Sequence, residues 1–156
     1  AVTNILRQGD ELVSANNLYG GTFTQFDAIL PQQGITVRFA PVNDFAATEA
    51  AINEKTRALY IETVGNPALD VADIEGYAAI AKKHHLPLIV DATFTPPTLL
   101  RPIEHGANIV IHSPPVGIPS LSRAWVWAVC VPASLVLPPE VHDKADANKA
   151  TAIILL

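Results

Sequence analysis

Over the first 113 residues, short apolar runs alternate with segments whose apolar positions recur at helical spacing, the pattern of repeated β-α-β units. Val2, Ile5 and Leu6 share one helical face, and Gly9-Asp10 ends it, so the chain opens on the end of a helix whose start would lie upstream. Glu11 to Ala15 follows as a short strand. Asn16-Asn17-Leu18-Tyr19-Gly20-Gly21 is a turn whose glycines let another group approach the backbone closely. Phe23, Phe26 and Leu30 draw the stripe of a helix stopped by Pro31 to Gly34, and Ile35 to Ala40 supplies the next strand. A helix from Asp44 to Asn53 leads to a strand from Arg57 to Thr63. The clearest helix has Asp70 as N-cap, Leu69 and Ile74 as a hydrophobic staple, and Ile74, Tyr77, Ala78 and Ala81 on its buried face. Lys82, Lys83, His84 and His85 close it, where positive charge suits the negative end of the helix dipole.

Leu86 to Asp91 organises what surrounds it: five apolar or proline residues closed by one carboxylate, a parallel strand buried on both faces with its only charge at its end. A short helix near Pro97 to His105 and a strand from Asn108 to His112 complete the repeat. The alternation predicts a three-layer α/β/α fold, a mostly parallel sheet with helices on both faces. Beyond Ser113 the pattern changes. Pro114, Pro115, Pro119, Pro132, Pro138 and Pro139 crowd the tail, where Trp125 to Val131 reads as a strand and Glu140 to Ala150 as a helix. The chain divides accordingly into residues 1–113 and a divergent tail, 114–156, packed on the same domain.

With 156 residues, 49% of them hydrophobic and 16% charged, the chain predicts one globular domain. A net charge of -5 and no polybasic face argue against nucleic acid and anionic membranes as partners. The single cysteine, Cys130, suits a reducing compartment. Ala1 to Asp10 lacks the basic start and long apolar block of a signal peptide, and Ala124 to Leu137 is too short and proline-broken to span a bilayer. These features point to the cytoplasm.

Three strand ends carry chemistry: Glu62 to Asn66, Asp91 with Thr93, and His112 with Ser113. In a parallel sheet all three emerge on one edge, in the crevice where open α/β sheets bind ligands. A carboxylate delivered there either meets a ligand or caps the turn Ala92 to Pro97. The paired histidines 84 and 85 diverge by ~100° on a helix and do not suggest a metal site.

The segments Leu18-Tyr19-Gly20-Gly21-Thr22, Glu62 to Pro67, Pro87 to Phe94 and Glu104 to Ser113 together resemble the large domain of the pyridoxal-phosphate enzymes of Cys/Met metabolism, within fold type I, and among them the O-acetylhomoserine sulfhydrylases most. The resemblance covers about residues 1–113. It implies pyridoxal phosphate as cofactor, an amino-acid substrate and a γ-replacement by a thiol in methionine biosynthesis. It also implies that Tyr19 stacks on the pyridine ring and Asp91 pairs with its nitrogen. Asn66 would bond the ring hydroxyl, Thr93 would support Asp91, and Ser113 would contribute to phosphate binding.

The resemblance stops at the residues after Ser113, which read Pro114, Pro115, Val116, Gly117, Ile118 and Pro119. Val116 stands where the family carries its Schiff-base lysine, so no catalytic residue is assigned to this chain. The phosphate-binding loop of the family would precede Ala1, and the arginine for the substrate carboxylate would follow Leu156. The expectation is a truncated relative with an altered tail, whose uncovered apolar surface makes a homo-oligomer. Three classes stay open: an active enzyme of sulfur amino-acid metabolism, a catalytically inactive relative that binds the cofactor or a partner protein, and a domain that has lost the cofactor.

Overall fold

The computed structural model describes residues 1–113 and, further along, the backbone of two strands, Trp127–Pro132 and Ala150–Leu155. Among the described residues seven strands form one sheet: β1 (Glu11–Ala15), β2 (Thr36–Ala40), β3 (Thr56–Glu62), β4 (Leu88–Asp91), β5 (Ile109–His112), β6 (Trp127–Pro132) and β7 (Ala150–Leu155). Their order is β2-β1-β3-β4-β5-β6-β7. The first five pair in parallel, and β6 and β7 extend the sheet antiparallel. With β2 on one side of β1 and every later strand on the other, the order reverses at β1, and the crevice at its carboxyl end is where such sheets place ligands.

Both faces of the sheet are covered. α1 (Val2–Ile5) and a helical run made of α2 (Gly20–Thr24), a π turn (Gln25–Ile29) and α3 (Leu30–Gln32) lie on one side. Leu6, Leu18, Phe26 and Leu30 there pack on Leu12, Ala58, Tyr60, Ile89, Ile109 and Ile111. α4 (Phe45–Ala51) and α5 (Ile74–Lys83) lie on the other side, where Ile74, Tyr77, Ile80 and Ala81 meet Val13, Leu59, Ile61, Leu88, Val90 and Val110. The two clusters alternate residue by residue along β1, β3, β4 and β5, because successive strand side chains point to opposite faces. That alternation makes the central strands apolar without interruption, and each fully buried Leu, Ile or Val contributes about 1.5–3 kcal/mol. The three-layer α/β/α fold expected from the sequence is the one formed.

Several boundaries differ from the sequence reading. α5 is capped by Asp73, whose side chain accepts the Gly76 N–H at 3.1 Å, and not by Asp70. Residues 70–72 are held extended instead: Gly65 N–H bonds the Asp70 carbonyl, Ala72 N–H bonds the Thr63 carbonyl, and Val64 bridges Val71. Leu69 is 67% exposed at φ 61° and forms no staple with Ile74. On the buried face Ile80 takes a place beside Ile74, Tyr77 and Ala81, while Ala78 is half-buried.

The second helix ends at Gln32, within the Pro31 to Gly34 stop read from the sequence, and Pro31 itself is tolerated inside it. Its missing donor falls at the start of α3, just after the π turn has interrupted the regular ladder, and the helix runs on to Gln32. The helix expected near Pro97 to His105 is reduced to a 3-10 turn, Pro102–His105, since Pro96, Pro97 and Pro102 each lack a backbone donor. In the tail, β6 occupies Trp127–Pro132 where Trp125 to Val131 was expected. The helix expected over Glu140 to Ala150 lies outside the described residues except for Ala150, which opens β7. Val116 and its neighbours lie outside them too. Among the described residues no helix is long and apolar enough to cross a membrane.

Candidate functional site

Four parallel strands deliver their carboxyl ends to one edge, and the loops leaving them enclose a cavity of about 370 Å³ lined by Tyr19, Asn66, Asp91, Thr93 and Ser113. β1 leads to Tyr19, β3 to Asn66, β4 ends in Asp91, and β5 leads to Ser113. All five residues singled out in the sequence thus share one wall-to-wall space. The sequence alone assigned no role to Glu62, Tyr60, Thr22, Gln25 or Phe94; of these, Glu62, Thr22, Gln25 and Phe94 line the same cavity. A signal for Glu62 was present, since it closes an apolar strand just as Asp91 does, whereas Tyr60 reads as ordinary core.

Asp91 is fixed through both oxygens. Oδ1 accepts the Thr93 backbone N–H at 2.9 Å and the Thr93 hydroxyl at 2.5 Å, and Oδ2 accepts the Tyr60 hydroxyl at 3.3 Å. The Thr93 hydroxyl also accepts the Ser113 N–H at 3.0 Å, so a single side chain ties the ends of β4 and β5 together. Thr95 braces the same turn from below by donating to the Thr63 hydroxyl at 2.9 Å.

Tyr19 is the N-cap of α2, and its ring stands 57% exposed at the cavity. A Cβ on residue 21 would come within 2.8 Å of that ring, so only glycine there leaves the ring in place. Asn66 is positioned by the loop after β3, where its N–H donates to the Asn17 carbonyl at 3.3 Å and its peptide bond to Pro67 is cis.

Glu62 reaches across 43 residues to the start of the α2 helix: both of its oxygens accept the Tyr19 backbone N–H, at 3.1 and 3.0 Å. It is only 5% exposed. Burial raises its carboxyl to about 7, with the neighbouring Asp91 charge pushing the same way and the Tyr19 N–H and Thr22 hydroxyl opposing. Burial likewise lifts the Tyr60 phenol well above its ordinary value, and the Asp91 and Glu62 charges add to it. A positive charge entering the cavity would relieve this crowding of two carboxylates and a phenol.

The donor set fits pyridoxal phosphate in its reversible contacts. Tyr19 offers a face to a flat heterocycle, Asp91, braced by Thr93, a carboxylate to a protonated ring nitrogen, Asn66 an amide to a ring hydroxyl, and Ser113 a further polar group. No lysine is among the described residues that line the cavity.

An O-acetyl-L-homoserine sulfhydrylase from Leptospira meyeri is 43% identical over 113 residues, 72% of this chain and 26% of that protein. The O-acetylhomoserine sulfhydrylase of the methionine biosynthetic pathway of Wolinella succinogenes superposes with a TM-score of 0.69 at 40% identity, over 72% of this chain and 32% of that one. A cystathionine γ-lyase from Lactobacillus plantarum, solved with L-serine, superposes with a TM-score of 0.69 at 41% identity, over 72% and 29%. This chain therefore spans about a quarter of the length of the curated Leptospira meyeri relative. The model of the Cys/Met metabolism PLP-dependent enzymes matches residues 1–115, and with the sheet, the cavity and the sulfur-transfer relatives in agreement, the chain belongs to that pyridoxal-phosphate-dependent family.

Proposed function

We propose that residues 1–113 carry the cofactor half of a γ-replacement site of the O-acetylhomoserine sulfhydrylase type, with residues 114–156 a divergent tail of which β6 and β7 extend the sheet. The observation that carries this reading is the single cavity shared by Tyr19, Asn66, Asp91, Thr93 and Ser113 at the carboxyl ends of four parallel strands. Tyr19 stacks on the pyridine ring, Asp91 keeps the ring nitrogen protonated, and Asn66 bonds the ring hydroxyl. Thr93 holds Asp91 in line, and Ser113 contributes to the phosphate end. When bound, the cofactor supplies an electron sink for negative charge developing on an amino-acid substrate. The reaction class is replacement of a γ-acetoxy group by a thiol with release of acetate.

Val116 stands at the position that the family resemblance gives to the lysine. This supports a second reading, in which the chain is an inactive relative that holds the cofactor by reversible contacts only. The exposed apolar side chains Leu69, Val71, Phe94 and Leu99 support self-association into a homo-oligomer, which light scattering at high and low concentration tests. The cofactor reading is tested by titrating the protein with pyridoxal phosphate and following its absorbance. The expected result is saturable binding that is lost in Asp91→Asn and weakened in Tyr19→Ala. Equal binding by all three proteins, or none by the wild type, would defeat it.

A further inference from the structure

We infer that Glu62 is a positioning residue that couples the placement of the Tyr19 ring to the charge held beside Asp91. The inference about Glu62 and Tyr19 stands on the ligand-free protein; the part concerning a bound cation rests on the cofactor reading above.

The geometry has three parts. First, the Tyr19 backbone is tied to β3 by Glu62 alone among the side-chain bonds to that N–H, and both carboxyl oxygens take part, at 3.1 and 3.0 Å. Tyr19 is the last residue before α2, so the torsions that aim its exposed ring start from the atom Glu62 holds. Second, Glu62 and Asp91 are direct partners in the parallel register of β3 and β4, and Tyr60, two residues before Glu62, bonds Asp91. The groups facing Glu62 are therefore Asp91 from β4, the Tyr60 phenol from its own strand, and the Tyr19 N–H and Thr22 hydroxyl from the helix. Third, among the described residues none of the salt bridges includes Glu62, whose anchors are the bifurcated bond from the Tyr19 N–H and the Thr22 hydroxyl.

A carboxylate offers two acceptor oxygens, whereas a protonated carboxyl turns one of them into a donor. Protonation of Glu62 therefore weakens the hold on Tyr19, and ionisation restores it. Burial favours the protonated form most, and repulsion from Asp91 adds to it. A cation seated against Asp91 removes that repulsion, shifts Glu62 toward its ionised form and tightens the Tyr19 backbone, so a ligand with a protonated ring nitrogen draws the stacking ring onto itself. A neutral flat ligand lacks this effect.

The test uses protein labelled with 15N-tyrosine. The chain has three tyrosines, Tyr19, Tyr60 and Tyr77, and Tyr19→Phe assigns the Tyr19 amide by loss of one signal. In the ligand-free protein the Tyr19 amide shift is expected to follow one titration centred near pH 7, absent in Glu62→Gln and displaced to lower pH in Asp91→Asn. Saturating pyridoxal phosphate, monitored separately by absorbance, displaces the wild-type midpoint to lower pH as well. A Tyr19 amide that is flat with pH in the wild type, or that titrates unchanged in Glu62→Gln, overturns the inference. Should Glu62→Gln fail to fold, the wild-type curve and its displacement in Asp91→Asn still decide it. If no cofactor binds, the cofactor reading fails, while the ligand-free titration still supports or overturns the role of Glu62.

Discussion

Thr93 grips Asp91 twice, through its backbone N–H at 2.9 Å and its hydroxyl at 2.5 Å, both on Oδ1. The carboxylate is thereby turned so that Oδ2 remains with Tyr60, at the wall of the cavity that Asp91 lines. Thr93→Val keeps the shape and the N–H but deletes the hydroxyl, and with it the acceptor of the Ser113 N–H. Because a hydrogen bond to a charged group is worth about 1.5–3 kcal/mol, affinity for pyridoxal phosphate should fall about tenfold or more. Absorbance titration checks this, and circular dichroism should show the fold retained.

Gly65 sits where a side chain has no room: a Cβ there would lie 2.2 Å from Asn17 Nδ2 and 2.5 Å from the Asn17 carbonyl, which accepts the Asn66 N–H. Gly65→Ala must push that carbonyl away, and backbone yields at a cost of about 1–3 kcal/mol for such overpacking. The variant should unfold at lower urea concentration than the wild type and bind pyridoxal phosphate more weakly through the displaced Asn66. Unchanged values of both would show that the Asn17–Asn66 contact does not position the site.

The carboxyl of Glu62 lies at about 7 in the folded chain against 4.5 as its ordinary value. Between those values the folded protein holds a proton that the unfolded chain releases. Its stabilising contribution is thus fully present below about pH 4.5 and is lost as pH rises through about 7. The loss is on the order of 3 kcal/mol. Glu62→Gln cannot titrate and should gain stability relative to the wild type between pH 5 and pH 8, measured as the difference between their urea midpoints. Glu11 and Glu49, both held below the ordinary carboxylate value by bonds to Arg38 and to Lys83, slope the other way but do so in both proteins. A difference between the midpoints that does not change with pH would remove the assignment to Glu62.

With Val116 at the lysine position, binding of pyridoxal phosphate should be reversible by dialysis, and borohydride reduction followed by digestion should give no stoichiometric pyridoxyl-lysine peptide. Intact mass before and after reduction reads the same outcome. A single fully modified lysine would place the covalent anchor in this chain and favour the active enzyme over the inactive relative.

What the sequence determined by itself was the layer order and the identity of the strand ends. The uninterrupted apolar runs of β3, β4 and β5 can only be central parallel strands, and chain connectivity then forces Asn66, Asp91 and Ser113 onto one edge. Helix starts were less legible where two acidic candidates competed. Asp70 and Asp73 both have capping chemistry, and only the bridge between Val64 and Val71, a contact across a loop, decided for Asp73. The tertiary structure alone decided the pairing of Glu62 with Tyr19, because residues 43 apart meet only after β1 and β3 lie side by side. The same holds for the bond to the other oxygen of Asp91, in which Tyr60, buried like its apolar neighbours, turns out to reach a carboxylate on the adjacent strand. Burial and partner geometry set the state of an ionisable group, and both are properties of the assembled sheet, which no local stretch of sequence contains.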